Sequence, residues 1–423
     1  MNDGSALSPQ WVYDSPILSD VEAKLRRFLV ELGTAGRIIG IQVCAYKDGK
    51  VIIDTAAGVL GKDDPRPVQN DSLFPCFSVT KGVTAGMVHW VANKGKLKLD
   101  ENVANVWPEF GDKGKDKIKV NHILNHTSGL HNALAGVTKD LTSYCDWDEC
   151  LKRIAMAEAE SEPGRQQLYH YLSYGWLCGG IIEHASGKKF QDILNEAFVC
   201  PLNIDGEFYI GIPPGAESRV ATVSMDHSEH DKFAIYLKAP FLPSSFTFDE
   251  INRIMSLTNE LNVRRAKIPG VNGHFSARAM ARYYAALVDG GVVPLPHPPT
   301  TTKTKETVDT SDGVDSKIFT NTKENIHDAF LGSGDYKDLI IPNGKFGLGF
   351  GRVNSADGSV IGFGHTGFGG SVGYCDISHR FAISVTLNKL TLGGFTPEII
   401  RFVCSELDLP IPADYAESKT YVT

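Results

Sequence analysis

The N-terminal part of the chain changes from one hydrophobic period to another. Over residues 22–34 apolar side chains recur at helical spacing among charged ones, which predicts a helix. Residues 38–46 and 51–56 are then rich in β-branched and other apolar residues, and they flank Asp48-Gly49. An Asp-Gly pair between two β-rich runs is a strong hairpin signal, so we expect two paired strands here.

The centre of the chain is helical in pattern, and the C-terminal part returns to strands. Helical periodicity predicts helices over 78–95, 146–158, 172–186, 190–198, 247–258 and 276–289. β-rich runs separated by turns predict strands over 346–351, 360–363, 371–377 and 381–387, followed by a helix over about 397–407 that has Pro397 in its first turn. This order predicts an α+β fold (an α/β sandwich), in which both ends of the chain build one antiparallel sheet with helices on its faces and a mostly helical lobe lies between.

The length of 423 residues suits one large domain or two intimate ones. We predict a single domain over 21–410 that includes the helical lobe at about 78–290, with tails at 1–20 and 411–423. Residues from about 293 to 326 are biased toward Pro and Thr and contain little that could pack. Because sheet strands follow them, we expect a mobile surface insertion and not a domain linker.

Charge and composition exclude some classes of protein. The formal net charge of −8, with no basic run to offset it, argues against a nucleic-acid partner. No apolar run approaches the roughly 20 residues that span a membrane. Residues 1–5 have neither the basic nor the apolar part of a secretory signal, so we expect a cytoplasmic protein, or an organellar one if the chain belongs to a longer precursor.

Eight cysteines are scattered along the chain: Cys44, Cys76, Cys145, Cys150, Cys178, Cys200, Cys375 and Cys404. No Cys-x-x-Cys pair or Cys/His cluster has the spacing of a metal site, so we predict neither a metal nor a cofactor. We expect reduced thiols that are mostly buried. Cys145 and Cys150 could lie close together, but a disulfide between them is the weaker interpretation.

Ser78-Val79-Thr80-Lys81 is the strongest chemical signal. Positions i and i+3 share a helix face, so the hydroxyl of Ser78 and the amine of Lys81 can touch. A serine becomes a good nucleophile when a neighbour takes its proton, and a lysine can do so when burial keeps it neutral. The pair therefore predicts covalent acyl chemistry. Taken alone, the tetrapeptide fits a helix N-cap serine and a solvated lysine better.

Two further motifs can serve the same chemistry. Tyr169 opens the aromatic run 169–177, and a phenolate beside a lysine ammonium can relay a proton; an aromatic stripe on a buried helix is the structural alternative. Residues 364–371 are glycine-rich and precede a strand, so their N–H groups can face a developing oxyanion. A simple glycine turn between two strands explains them equally well.

Taken together, the three motifs resemble the serine β-lactamase and penicillin-binding-protein family. The resemblance is strongest to its class C-like group of family VIII carboxylesterases and LACTB-like proteins, and it extends to the β-lactamase-like domain fused to atypical kinases in plants. It covers about residues 20–408. Besides Ser78–Lys81, it rests on 73–75, 93–100, Ile123-Leu124-Asn125-His126-Thr127-Ser128-Gly129-Leu130, 169–177, 179–183, 186–188, 272–282 and 362–373.

The resemblance implies roles for matching positions. Ser78 would be the acylated nucleophile, Lys81 would accept or relay its proton, and Tyr169 would act as general base and acid. His365 would orient the tyrosine or the substrate, and the N–H groups of Ser78 and Phe368 would form the oxyanion hole. The resemblance also assigns Gly367 and Tyr171 to the oxyanion and substrate-binding part of the site.

Two positions depart from the family pattern. Many relatives have Tyr-x-Asn where this chain has Tyr169-His170-Tyr171, so a polar substrate ligand is missing and Tyr171 is a rival for the role of base. His365 replaces the lysine of the Lys-Thr-Gly motif, and a histidine is mostly neutral near pH 7. Both departures favour ester or other acyl substrates over β-lactams.

Ser371 lies in a second motif, Gly369-Gly370-Ser371-Val372-Gly373, which matches the nucleophile elbow of α/β-hydrolases. That elbow must lie between a strand and a helix, with Asp and then His later in the chain. Here a strand is predicted to follow, and the downstream order does not supply a triad. We therefore predict that Ser371 is not the nucleophile.

The sequence thus predicts a serine hydrolase that acts through an acyl-enzyme, an esterase for small or medium acyl esters or amides. Acyl transfer to an acceptor other than water, peptide hydrolysis and a non-catalytic binding or scaffolding role are the alternatives. The expected partner is a small-molecule acyl substrate. The sequence leaves open the substrate itself and the oligomeric state.

Overall fold

The protein is described here by a computed structural model over residues 11–134, 141–225, 237–297, 317–392 and 394–416. In chain order its strands are β1 (Gly40–Lys47), β2 (Lys50–Gly61), β3 (Asp64–Pro67), β4 (Phe74–Pro75), β5 (Phe208–Ile210), β6 (Ser224–Met225), β7 (Gly273–Phe275), β8 (Gly351–Asn354), β9 (Val360–Thr366), β10 (Val372–Asp376), β11 (Phe381–Leu387) and β12 (Lys389–Leu390).

The α-helices of the described residues are α1 (Asp20–Thr34), α2 (Val79–Asn93), α3 (Val120–Leu124), α4 (Trp147–Met156), α5 (Ser173–Ser186), α6 (Phe190–Leu194), α7 (Cys200–Leu202), α8 (Phe248–Leu257), α9 (Leu261–Arg265), α10 (Ala277–Val288), α11 (Lys323–Leu331), α12 (Phe395–Glu406) and α13 (Ala413–Ala416). Short 3-10 turns cover Val103–Asn105, Pro108–Gly111, Leu141–Cys145, Glu217–Arg219, Gly334–Leu339 and Phe368–Gly370, and a π turn, Asn195–Val199, joins α6 to α7.

The main sheet has seven strands in the order β3-β2-β1-β11-β10-β9-β8, and every pair in it is antiparallel. β1 and β2 form the hairpin expected from the sequence, with Asp48 and Gly49 at positive φ in the turn. β1 then pairs with β11, so that Ile41 lies opposite Leu387. The expected sheet built from both ends of the chain, and with it the α+β fold, is confirmed.

One face of this sheet is covered by the two terminal helices, α1 and α12. Ser19 caps α1, because its hydroxyl accepts a hydrogen bond from the Glu22 N–H. Leu25 and Leu29 of α1 and Ile399 of α12 are fully buried in the apolar layer between these helices and the sheet. Both helices therefore bury one apolar stripe, as their sequence period predicts.

The other face packs against the lobe, whose central element is α2. Residues Val79–Val91 of this helix are buried on every side, between α5, α10 and the sheet. A small sheet of order β4-β7-β5 lies in the same lobe. The lobe is thus mostly helical, as expected, but it also holds strands that lead directly into α2.

Residues 346–351 do not form the predicted strand. The Gly347 N–H donates to the Phe350 carbonyl, and Gly349 has a φ of 100°, so the chain turns here. The strand starts only at Gly351, as β8. Alternating glycines in an apolar run gave a β-like pattern, but the freedom of Gly349 at positive φ is used for a turn.

The structure shows packed residues within both expected tails and at the end of the expected insertion. The chain is attached from Val12 onward, because the Tyr13 N–H donates to the Ala56 carbonyl of β2, and α13 packs at the other end through Tyr415. Most of the expected insertion, 298–316, lies outside the described residues. Its C-terminal flank is packed, since Ile318 and Phe319 are buried and α11 follows. The mobility of the insertion stays a prediction.

Six of the eight cysteines are buried free thiols, whereas Cys145 is half-buried and Cys200 is exposed. The cysteines are mostly buried, as predicted, and Cys145 and Cys150 are not bridged. Among the described residues, no helix is long and apolar enough to cross a membrane.

Candidate active site

The turn before α2 holds Ser78 in place. The Cys76 N–H donates to the Gly273 carbonyl of β7, which ties the approach segment to the small sheet. Phe77 then adopts a φ of 47°, a left-handed conformation that costs energy in a bulky residue. The Thr80 hydroxyl donates to the Phe77 carbonyl and stabilises the turn. Ser78 therefore lies at the very start of α2, where backbone N–H groups lack helical partners.

Lys81 lies one helical turn later and contacts Ser78 directly. Its Nζ is 3.1 Å from the Ser78 Oγ, and it also donates to the backbone carbonyls of Tyr171 (2.8 Å) and Gly270 (2.9 Å). The side chain is fully buried, and it forms no ion pair with any described residue. Burial therefore lowers the pKa of Lys81 to about 7, so a large fraction of the amine is neutral at physiological pH.

The carbonyl of Gly270 can reach Lys81 because two glycines meet behind it. A Cβ on Gly175 of α5 would lie 2.2 Å from the Gly270 nitrogen, closer than any packed side chain allows. Gly175 thus lets α5 and the segment 269–270 approach each other, and the segment turns its carbonyls toward α2. Thr84 of α2 donates to the Pro269 carbonyl and fixes the same segment.

Tyr169 lies beside this pair. The Lys81 Nζ is 5.0 Å from the centroid of its ring, and the ring stacks on Phe346 at 5.6 Å. The ring centroid of His365 is 6.4 Å away. Tyr169 is largely buried but lines the cleft.

Tyr171 has its hydroxyl bonded to Ser245 and not to Lys81. Its carbonyl is the group that holds Lys81, whereas its hydroxyl donates to the Ser245 carbonyl at 3.3 Å. Its ring meets Phe246 edge to face. Burial raises the pKa of the Tyr171 phenol, which opposes formation of a phenolate there.

His365, at the end of β9, is a neutral histidine. Its Nδ1 is 2.9 Å from the Thr366 carbonyl, and because a carbonyl can only accept, Nδ1 carries the proton. The Nε2 atom is then an acceptor; it is buried and has no hydrogen-bond partner among the described residues. Burial, with Lys81 nearby, lowers the pKa of His365 to about 3. No permanent cation therefore stands at this position.

The glycine-rich turn between β9 and β10 lies against the start of α2. A Cβ on Gly367 would come within 2.3 Å of the Cys76 carbonyl, so this contact requires glycine. The Gly367 N–H donates to the Ser371 carbonyl at 2.7 Å, so this N–H is already bonded within the turn. Phe368 meets Phe77 edge to face, which sets its backbone beside Ser78.

Ser371 is buried and is followed by β10, as expected, so it does not stand on a strand-to-helix elbow. Ser78, Lys81, Tyr169 and His365 are instead brought together from α2, the start of the α5 region and β9. A serine hydroxyl beside a buried, partly neutral amine can lose its proton to that amine, and this arrangement can support nucleophilic attack on a carbonyl.

The cleft above Ser78 has a volume of about 890 Å³. On one side its wall is apolar and is built by Phe241, Phe246, Ile251, Ile254 and Met255. On the other side it is bounded by the turn 367–371 and by residues of β8, α12 and α13. A cleft of this size accommodates a small to medium organic ligand.

A model of the Beta-lactamase family matches residues 25–403, nearly the whole described domain. The chain belongs to the beta-lactamase family. It is 28% identical to the esterase/beta-lactamase LipL of Mycobacterium tuberculosis (strain ATCC 25618 / H37Rv) over 84% of this chain and 78% of LipL. The family and this relative identify the chain as a serine hydrolase.

Solved structures of other proteins share the fold of this chain. A family VIII carboxylesterase superposes with a TM-score of 0.72 at 24% identity, covering 94% of this chain and 99% of the carboxylesterase. A penicillin-binding-protein homologue from Caulobacter crescentus superposes with a TM-score of 0.70 at 24% identity, covering 94% and 100%. The family assignment made from the motifs is confirmed.

Several residues of this family site were not predicted. His126 has a φ of 63°; its carbonyl accepts from the Leu168 N–H and its Nδ1 from the His170 N–H, so it positions the segment that carries Tyr169. Phe346 stacks on Tyr169 from the turn that was predicted as a strand. The motif His126-Thr127-Ser128-Gly129 was a usable signal for the first, but nothing in the sequence indicated the second.

Proposed function

We propose that this serine hydrolase is an esterase that forms an acyl-enzyme on Ser78. The observation that carries the proposal is the 3.1 Å contact between the Ser78 hydroxyl and the Lys81 amine, whose pKa burial lowers to about 7. An amine in this state is a base matched to neutral pH.

In the proposed first step, Lys81 takes the proton of Ser78 as Oγ attacks the carbonyl carbon of the ester. The oxyanion is stabilised by the N–H groups of Ser78, at the positive end of α2, and of Phe368. The bond between the carbonyl carbon and the leaving oxygen then breaks, and the alcohol departs with a proton. Water attacks the acyl-enzyme in the reverse sense, which releases the acid and restores the Ser78 proton.

We assign the proton transfer to the leaving group to Tyr169 and not to Tyr171. The position of the Tyr169 ring, 5.0 Å from the Lys81 Nζ and next to His365, supports this role. The Tyr171 hydroxyl is bonded to Ser245, and its carbonyl already serves Lys81. In this proposal the unpartnered Nε2 of His365 accepts a hydrogen bond from the tyrosine or the substrate.

The substrate class follows from charge and shape. A neutral His365 gives no permanent positive charge to hold the carboxylate of a β-lactam, which favours uncharged acyl esters. The apolar wall of Phe241, Phe246 and Ile254 suits an acyl chain. Acyl transfer to a small alcohol would use the same acyl-enzyme, and product analysis with and without that alcohol separates the two reactions.

The proposal is tested by covalent labelling. The wild type, Ser78→Ala and Ser371→Ala are treated with a fluorophosphonate, and intact mass is followed by peptide mapping. We expect one adduct, on the peptide of Ser78, in the wild type and in Ser371→Ala, and none in Ser78→Ala. An adduct on Ser371, or no adduct on a folded wild-type protein, would refute the proposed mechanism.

A further inference from the structure

A second polar cluster lies on the lobe face of the sheet, on β1 and β2. Cys44 of β1 is paired directly with Asp54 of β2, so the two side chains lie side by side on one face of the hairpin. His297, from a segment far along the chain, adds its imidazole to the same point. Cys44 is fully buried, Asp54 is 9% exposed, and none of the three residues takes part in the Ser78 site.

The distances among the three side chains fit one metal ion. Cys44 Sγ is 3.8 Å from His297 Nε2, and one ligand atom from each of the three residues lies within 4.8 Å of the other two. A tetrahedral zinc ion has metal–sulfur and metal–nitrogen bonds of about 2.3 and about 2.0 Å, which place sulfur and nitrogen about 3.5 Å apart. The sulfur–nitrogen distance is already close to this spacing, and the ligand atom of Asp54 would move toward the other two to complete the site.

The His297 imidazole is held in place by contacts with β1 and α10. The Tyr46 hydroxyl lies 3.0 Å from the Nδ1 and 3.4 Å from the Nε2 of His297, so it contacts the edge of the ring between the two nitrogens. Arg282 donates to the Leu295 carbonyl and ties this segment to α10. The shorter Tyr46 contact, to Nδ1, is of the kind that supports metal-binding histidines when Nε2 binds the ion.

Asp54 brings an acidic oxygen ligand to the cluster. It is nearly buried and forms no ion pair within the described part of the chain. The guanidinium groups of Arg278 and Arg282 exert an electrostatic effect on His297. That of Arg278 pairs with Glu207. A buried acid of this kind gains most from a bound positive ion.

We propose that Cys44, Asp54 and His297 bind a divalent transition-metal ion of the zinc type. Sulfur and imidazole ligands disfavour Mg²⁺ and Ca²⁺, which prefer oxygen. On binding, the Cys44 thiol forms a metal–sulfur bond and releases its proton to solvent. The ion would tie the segment that ends at His297 to the β1–β2 hairpin. This site replaces the expectation from the sequence that the chain binds no metal.

The test uses Zn²⁺ and Co²⁺ on the full chain. Cys200 is exposed and could bind metal unspecifically, so all variants carry Cys200→Ser. After dialysis against Zn²⁺, we expect about one bound ion per chain and a rise in the thermal midpoint. Co²⁺ should give a sulfur-to-metal charge-transfer band. Cys44→Ser and His297→Ala should weaken binding by about 100-fold or more, and Cys44→Ser should abolish the band.

Two further variants keep the test decisive. Cys404→Ser removes another buried thiol, away from the cluster, and should leave zinc binding unchanged. Ser78→Ala should also bind zinc normally, which separates this site from the acyl chemistry. His297 is half-buried, so its loss should leave the fold intact. Absence of zinc binding, or equal binding by the wild type and His297→Ala, would overturn the proposal.

Discussion

Two buried ionisable residues on opposite sides of the sheet differ in whether they have an oppositely charged partner. Glu22, in α1 on the outer side, is fully buried and pairs with Arg26 at 2.9 Å, while also accepting from the Leu18 and Asp54 N–H groups. Lys81, in α2 on the lobe side, is equally buried but has only neutral oxygen atoms as partners.

This difference in partners suits Glu22 to a role in stability and Lys81 to a role in proton transfer. A paired buried charge stays charged and stabilises a particular arrangement, whereas an unpaired one shifts its pKa until the neutral form becomes available. The lobe face continues this pattern, because burial also lowers the pKa of His126, His170 and His365. We infer that the outer layer serves stability and that these lobe-face groups are held neutral near pH 7, with Lys81 alone among the four having a pKa that allows proton exchange there.

The largest effect is expected for Lys81→Ala. Removing the base should lower kcat/KM for a short-chain ester by about 10⁴-fold, which corresponds to about 5.5 kcal/mol of transition-state stabilisation. Lys115→Ala is the matched control, because Lys115 is also fully buried and donates to backbone carbonyls, but it lies away from Ser78. That variant should lose stability while keeping its kcat/KM. A Lys81→Ala enzyme with activity near that of the wild type would contradict the proton transfer.

The second-largest effect is expected for Tyr169→Phe, and its comparison with Tyr171→Phe tests which tyrosine is the general acid. Tyr169→Phe should lower kcat by about 10³-fold, because it removes the general acid. Tyr171→Phe keeps the carbonyl that holds Lys81 and loses only the hydrogen bond to Ser245, worth about 1 kcal/mol of stability. Steady-state kinetics and thermal unfolding of both variants give the comparison. A larger loss of kcat in Tyr171→Phe would reverse the assignment.

The third-largest effect is expected when the ion pair between Glu22 and Arg26, on the outer side of the sheet, is broken. Arg26→Met leaves the carboxylate of Glu22 buried without its partner and should lower the free energy of unfolding by about 3 kcal/mol, with no change in kcat. Lys24→Met, which breaks a more exposed pair with Glu406, should cost about 0–1 kcal/mol. Urea unfolding measures both free energies. Equal losses for Arg26→Met and Lys24→Met would show that the buried pair contributes no more to stability than the exposed one.

The smallest effect is the pH dependence of the wild type. Lys81 must be neutral to accept the Ser78 proton, and its pKa of about 7 means that kcat/KM should fall about tenfold per unit below that pH and level off above it. His365, with a pKa of about 3, should add no limb above pH 5. Arg26→Met should leave the pH profile of kcat/KM unchanged. A limb near the ordinary lysine pKa would show that Lys81 is not desolvated.

Much of the fold could be predicted because local pattern determined it. The amphipathic period of α1, the Asp48-Gly49 turn and the β-rich runs at both ends led to the correct sheet. The glycine-rich run at 346–351 failed, because glycine fits both a strand and a turn, and only the packing of Phe346 on Tyr169 decides between them.

Within the site, the motifs indicated which residues meet but not what each atom does. The spacing of Ser78 and Lys81 predicted their contact. It could not show that the Gly270 carbonyl holds the amine, that the Tyr171 hydroxyl faces away, or that the Gly367 N–H is already bonded. Cys44, Asp54 and His297 had no spacing that linked them, since the third residue comes from a distant segment.

The sequence by itself determined most of the order of elements and the family, and it indicated the candidate site residues, because these depend on local period and on short motifs. Only the tertiary structure decided the protonation states. The pKa of a lysine or histidine depends on how completely surrounding elements exclude water and on which charges they bring near. For Lys81 and His365 those elements come from distant parts of the chain, and their packing makes both side chains available as neutral groups.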